Sequence, residues 1–264
     1  MAMALAELTT AEARALFQAH QTVIIPTGST EQHGQHLPLG TDHETALAVA
    51  LRAGEQAGVP VTPVIPFGLS RHHMHAAGTI TFSPRTYRHV VTDVCESLFE
   101  HGVRRVLIVN GHGGNNRVLQ ETMEELFGRR RGQVVLALCH VLGVAGQIVP
   151  ELKTMAVGHA DVREASIMMW LKPHTVHMDR QVGQKPTIGG QAAPGLTRLG
   201  IGQVGHGAAT LAMTQKLEDV VPAGGWGQLE GSTPEFGRRL IEAVATYLAG
   251  FLGEFQRVPL EEPK

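Results

Sequence analysis

The 264-residue sequence has little of what would commit it to several common protein classes. Only two cysteines occur, Cys95 and Cys139, far apart and without Cys-x-x-Cys spacing. That excludes a disulfide framework and a thiolate metal site, and fits a reducing cytoplasm. No apolar run approaches the ~20 residues needed to span a bilayer. The first twenty residues have helical apolar spacing broken by Glu7, Glu12 and Arg14, unlike a signal peptide. Charge of one sign is also missing, since 22 basic residues stand against 24 acidic ones. The one basic block, Arg129-Arg130-Arg131, reads as a solvated helix end, so neither nucleic acid nor an anionic membrane is an expected partner. Aromatics are scarce at 5%, whereas there are 15 histidines and 31 glycines, a balance consistent with metal ligands on tight loops. These features predict a soluble, cytoplasmic protein.

With 43% hydrophobic residues the chain can bury a sizeable core, and residues 1–264 read as one domain. Thr22 to Pro26 is a β-branched run ending at Pro26 and Gly28, which predicts a buried strand feeding a loop. Thr41-Asp-His-Glu44 has the form of a capping box, which predicts a helix from Asp42 to about Gln56, closed by Gly58. Val59 to Ile65 is a second strand candidate, and Thr79 to Phe82 a short β-like piece. A helix is expected from Pro84 to about His101, a buried strand at Arg105 to Val109, and a helix from about Arg117 to Arg130. A further strand is expected at Val134 to His140, and helices at Val162 to Leu171 and Glu235 to Phe255. Alternating strands and helices predict an α/β fold with a largely parallel sheet, helices on both faces, and ligands at the carboxyl ends of the strands. The Gly/Pro-rich region at about 173–234 reads as long loops, covering the site or joining subunits.

Three segments could carry chemistry. Glu31 and His33, two apart, share one side of an extended backbone, and Asp42 at the next helix start can fold back towards them. Mixed carboxylate and imidazole ligands suit Zn, Mn or Fe, and a bridging carboxylate can hold two ions about 3.5 Å apart. Taken singly, Asp42 could instead complement the helix dipole, with Glu31 meeting an arginine. His112 follows a strand in Asn110-Gly-His-Gly-Gly-Asn-Asn116, where Gly111, Gly113 and Gly114 leave room for a ligand. The same loop could bind a phosphate at a helix start, although it lacks Gly-x-Gly-x-x-Gly spacing and a Lys-Ser/Thr ending. His159 and Glu164 precede an apolar helix. Glu164 could be a ligand and His159 a proton shuttle, or Asp161 and Glu164 could be first-turn acids of that helix.

The strings Pro26-Thr-Gly-Ser-Thr-Glu-Gln-His-Gly-Gln-His-Leu-Pro-Leu-Gly-Thr-Asp42, Ser70-Arg-His-His73 with Gly78-Thr79, Asn110-Gly-His-Gly-Gly-Asn115, and His159 to Ser166 resemble the creatininase (creatinine amidohydrolase) family, in the family's order. The resemblance implies a three-layer α/β/α fold, a site for two divalent ions (Zn, Mn or Fe), hydrolysis of amide bonds, often cyclic, and hexameric assembly. By position it implies that Glu31, His33, Asp42 and His112 are ligands, with Asp42 as the bridge, and that His159 is the acid/base. It also places His73 near the substrate, with Gly113 and Gly114 as substrate-binding positions. Creatininase itself has a Glu ligand where this chain has Gly114. That departure resembles the Asn-Gly-His-Gly-Gly-Asn members, which include formamide hydrolases and a mycofactocin peptidase, with Glu164 as the replacement ligand. The expected function is metal-dependent hydrolysis of a small amide, cyclic or a formamide. Two alternatives stand beside it: hydrolysis of a lactone or carbon–carbon bond at the same site, and a non-catalytic phosphate-binding protein. Trp170 and Trp226 are the aromatic candidates for holding a substrate.

Overall fold

A computed structural model of the chain describes residues 4–181, 191–200, 202–214 and 216–261. The elements run α1 (Thr10–His20), β1 (Thr22–Thr27), α2 (Thr41–Ala57), α3 (Pro84–Glu100), β2 (Arg105–Asn110), α4 (Asn116–Arg130), β3 (Val135–His140), α5 (Val141–Ile148) and α6 (Val162–Leu171). They continue with β4 (Gln191–Ala193), β5 (Leu196–Gly200), β6 (Gln203–His206), β7 (Ala209–Ala212), α7 (Leu217–Val220) and α8 (Pro234–Phe255).

β1, β2 and β3 pair in parallel, in that order. Their residues alternate between two cores, as the period of two along a strand requires. Ile24, Leu107 and Val109 face a core built with α2, α5, α6 and α8, whereas Val23, Ile25, Val106 and Ile108 face one built with α1, α3 and α4. Burial on both faces is why β1 and β2 read as continuous apolar runs. Each fully buried Val or Ile contributes about 1.5–3 kcal/mol. The result is the expected three-layer α/β/α sandwich.

The segment 59–65 lies along the free edge of β1, but it makes only isolated bridges, through Val61 and Ile65, rather than a continuous strand. The cause is Pro26. Ile24 donates to the Pro60 carbonyl and accepts from the Thr62 amide, and the ladder next requires an N–H from residue 26, which proline lacks. The register slips, and the Pro26 carbonyl accepts from Ile65 instead. Counting this segment, the sheet order is second–first–third–fourth in chain order, so the direction of winding reverses between β1 and β2. Ligands of open α/β sheets sit outside the carboxyl ends of the strands at that reversal.

Two expectations are corrected. No capping box forms at Thr41: the helix begins one residue early with Gly40 as its N-cap, the Thr41 hydroxyl donates to the Pro38 carbonyl, and Glu44 pairs with Lys172. A capping box does form at Thr9 and Glu12, ahead of α1. The region at about 173–234 is not simply long loops, since β4 to β7 form an antiparallel four-stranded meander within it. Residues 182–190, 201 and 215 of that region lie outside the described residues. Helix α5 was not expected: its apolar Val-Leu-Gly-Val-Ala-Gly sequence follows β3 directly, with no polar start signal.

Candidate metal centre

The loop after β1 and the loop after β2 are brought together by the first turn of α2, and two glycines make that approach possible. A Cβ on Gly28 would lie 2.5 Å from the His43 amide nitrogen, and one on Gly111 would overlap the Asp42 carbonyl. Asp42 is thereby wedged between the two loops. The turn before α6 completes the cluster, with Ala160 in the left-handed region at φ 53° and Asp161 accepting from the Arg163 amide as N-cap.

The five carboxylate and imidazole residues expected to be ligands converge, and none is more than 5% exposed. His112 Nδ1 lies 3.3 Å from Glu31 Oε1 and 3.2 Å from Asp42 Oδ2. His33 Nε2 lies 3.2 Å from Asp42 Oδ1 and 3.7 Å from Glu164 Oε1. Two compact groups result, Glu31–Asp42–His112 and His33–Asp42–Glu164, and both use Asp42. A third group joins Glu31 and His33 to His159.

Hydrogen bonds to backbone carbonyls, which only accept, fix both imidazole tautomers. His33 Nδ1 donates to the Glu31 carbonyl at 3.1 Å, and His112 Nε2 donates to the Leu69 carbonyl at 3.2 Å. In each neutral ring the other nitrogen therefore turns a lone pair towards carboxylate oxygens, an arrangement that calls for a cation. Among the described residues, Glu31 Oε2 and Asp42 Oδ2 are buried with no hydrogen-bond partner. The electrostatics say the same. Burial opposes protonation of His33, yet Asp42 and Glu164 raise its pKa well above the usual imidazole value. Burial likewise opposes protonation of His112, and Glu31 and Asp42 outweigh it. Burial pushes the Glu31 carboxyl up, but His112, His73 and His159 hold it well below the usual carboxylate range. For Glu164, His33 overcomes burial and brings the pKa to about 2. Anionic oxygens and imidazole nitrogens that stabilise positive charge between them fit a divalent cation of the Zn, Mn or Fe type.

Gln32, which sequence reasoning passed over, organises the histidines beside the cluster. Its amide nitrogen donates to His73 Nδ1 at 2.7 Å and to the Gly224 carbonyl at 2.9 Å, and its amide oxygen accepts from the Gly34 amide at 2.9 Å. His73 therefore carries its proton on Nε2, 3.4 Å from Glu31 Oε1, and burial lowers its pKa to about 2, so it stays neutral. His159 Nε2 donates to the Gln32 carbonyl at 2.7 Å, leaving Nδ1 unprotonated and 3.9 Å from Glu31 Oε1. Burial and the neighbouring His33 both lower its pKa.

Glu31, Asp42, His73, His112, His159 and Glu164 line a cavity of about 220 Å³, whose walls also include Gly113, Gly114, His72, His140, Arg163 and Trp226. Trp226 exchanges two backbone hydrogen bonds with His159 and stacks on its ring, with centroids 5.2 Å apart. Trp170 instead packs against the core under Arg52, away from the cavity. Nothing local distinguished Trp226 in its glycine-rich surroundings. Gln32 did carry a signal, since it stands between two ligand candidates. Gly114 has no space for a side chain, because a Cβ there would meet His112 Nε2 and the Leu69 carbonyl. A Cβ on Gly113 would make only ordinary contact with His140, at 3.8 Å.

A family model described as creatininase, creatinine amidohydrolase, matches residues 6–252. The chain belongs to the creatininase family. Among curated proteins of this family, a mycofactocin precursor peptide peptidase of Mycobacterium ulcerans is 31% identical over 209 residues, 76% of this chain and 78% of the relative. A creatinine amidohydrolase of Pseudomonas putida is 30% identical over 197 residues, 68% of this chain and 76% of the relative. A solved creatininase variant of Zn-Zn type superposes with a TM-score of 0.76 at 23% identity, covering 96% of this chain and 98% of that one, which establishes the shared fold. As a member of this family the chain is an enzyme of the amidohydrolase class.

Proposed function

We propose that the chain hydrolyses the amide bond of a small substrate, a cyclic amide or a formamide, at a centre holding two divalent ions. The observation that carries this reading is the pair of buried ligand groups that share Asp42. Glu31 and His112 would hold one ion and His33 and Glu164 the other, with Asp42 available to both. Divalent ions held there would polarise a carbonyl and lower the pKa of water towards neutrality. The cavity, at about 220 Å³, admits a small molecule or the end of a longer one.

His159 supplies the proton transfer. Its Nδ1 faces the cluster with a free lone pair while Nε2 is anchored on the Gln32 carbonyl. Nδ1 takes a proton from the attacking water and returns it to the leaving nitrogen, a role suited to a buried neutral imidazole. Trp226, stacked on the ring, and Gln32 fix its orientation and keep bulk water from that side. His73 Nε2, 3.4 Å from Glu31 Oε1, steadies that carboxylate.

A hydrolysis screen of metal-loaded protein against creatinine, formamidopyrimidines, cyclic imides, short peptides and lactones tests the reading. Turnover of an amide is expected, with His159→Ala lowering turnover by about 10²–10⁴-fold at unchanged metal content. Activity confined to ester or carbon–carbon substrates would refute amide hydrolysis, and loss of metal from His159→Ala would make that residue a ligand.

A further inference from the structure

Among the cavity-lining residues that the mechanism leaves unused are Arg163 and His140. Arg163 is 7% exposed and its guanidinium is fixed along one edge. Nε donates to both Asp161 oxygens at 3.1 and 3.0 Å, and Nη2 donates to Asp161 Oδ2 at 2.7 Å and to the Gly158 carbonyl at 3.0 Å. Asp161 is itself immobilised by the amides of Gly158 and Arg163. Nη1, with its two N–H groups, has no acceptor among the described residues. Nη1 keeps some accessible surface and Arg163 lines the cavity, so this edge is open there to water or a ligand while the other is clamped. Such a planar fork, pre-oriented by a carboxylate on one side, suits an oxyanion on the other.

His140 stands at the carboxyl end of β3 and lines the same cavity as Arg163 and Gly113. Its ring makes no hydrogen bond among the described residues. It is packed against Gly143, where a Cβ would lie 3.0 Å from Nδ1, and beside Gly113. Either ring nitrogen can donate. The cavity thus offers donors without acceptors from Arg163 and His140, in addition to the cluster that would hold the ions. At about 220 Å³ it has room for the reacting amide and a small planar group beside it.

We propose that Arg163 and His140 form a recognition site for a carboxylate carried by the substrate close to the scissile amide. The proposal deepens the amide-hydrolase reading and rests on it. The substrate class becomes small N-acyl or cyclic amides of amino-acid type, with the carboxylate read by the Arg163 Nη1 edge while the amide carbonyl reaches the cluster.

The test uses the metal-loaded full chain and a matched pair, N-formylglycine and N-methylformamide, which differ by the carboxylate. The wild type is expected to favour N-formylglycine in kcat/KM by at least about tenfold, the lower end for a charge-assisted hydrogen bond. Arg163→Gln lowers both values, but that for N-formylglycine at least about tenfold further, through KM. Arg163→Lys keeps a cation against Asp161, and so the fold, yet still loses most of the preference; melting temperature confirms folding for both variants. His140→Asn reduces the preference several-fold without touching the Asp161 pair. An equal rate on both substrates by the wild type overturns the proposal, as does a preference unmoved by Arg163→Lys and His140→Asn, which would mean that the carboxylate is read by the ions alone. Should the wild type hydrolyse neither, the amide reading fails on its own, and calorimetric titration with N-formylglycine decides the carboxylate site. Binding weakened at least about tenfold by Arg163→Lys upholds it, and absent or unaltered binding overturns it.

Discussion

Replacing Glu164 by glutamine removes one charge from one of the two ligand groups and very little else. Glu164 Oε1 is 3.7 Å from His33 Nε2, and Oε2 accepts from the Ala160 amide, holding the turn that carries His159. A glutamine is isosteric and its amide oxygen can keep the bond to Ala160, so the turn should survive. Its amide nitrogen, however, would turn a donor towards the His33 lone pair that an ion would use. Loss of an outer-sphere partner costs 10–100-fold in metal affinity, so loss of a direct carboxylate is expected to cost at least about 100-fold, or about 2.7 kcal/mol at 1.36 kcal/mol per decade. The Glu31–Asp42–His112 group does not include Glu164 and should keep its ion. Calorimetric titration of metal-free protein with Mn²⁺ or Zn²⁺, checked by elemental analysis after dialysis, should show two sites in the wild type and one in Glu164→Gln. Two sites of unaltered affinity in the variant would refute the role of Glu164. Equal loss of both would refute the division into two groups.

Other expectations follow from the same geometry. In Gly114→Ala the new Cβ would force the His112 ring off the Leu69 carbonyl, so metal content should fall while helix content by circular dichroism stays close to wild type. Because Asp42, Glu164 and Glu31 outweigh burial and raise the pKa values of His33 and His112, the metal-free cluster holds protons more tightly than free imidazoles do, and an incoming ion must displace them. The sign follows directly: metal affinity should rise with pH until those raised values are passed, and titrations in buffers of different ionisation enthalpy should show proton release; uptake or no exchange would contradict it. Burial pushes the Cys95 and Cys139 thiols up to about 12, so neither should react with a disulfide reagent at pH 8 in the native state, and both should react in denaturant.

The central layer was legible in the sequence because its strands are buried on both faces and its helices carry local signals, such as Ser83 capping α3 ahead of Pro84 and Thr233 capping α8 ahead of Pro234. Where the reading slipped, non-local interactions prevailed. Thr41 and Glu44 match a capping pattern, but Pro38 and Lys172 offer their side chains other partners. Val59 to Ile65 has strand composition, but Pro26 on the neighbouring strand denies it a continuous ladder. The weak periodicity of the region around 191–212 concealed a meander whose last strand, β7, is exposed throughout, so no buried face imposed alternation on it. For the site, Glu31, His33, Asp42, His112, Glu164 and His159 were visible as chemistry-bearing types at loop positions following strands or preceding helices. His140 and Arg163 were not, because their significance lies in the donors they leave towards the cavity, and the parts played by Gln32 and Trp226 lie in carbonyls and rings they meet far along the chain, such as the Gly224 carbonyl and the His159 ring.

Anomalous diffraction at the manganese or zinc edge, from crystals of the metal-loaded full chain, tests the central claim most directly. The account predicts two peaks per chain, one bounded by Glu31, Asp42 and His112 and the other by His33, Asp42 and Glu164, with Asp42 common to both. A single peak that excludes Asp42, or no peak within the cluster, would contradict it.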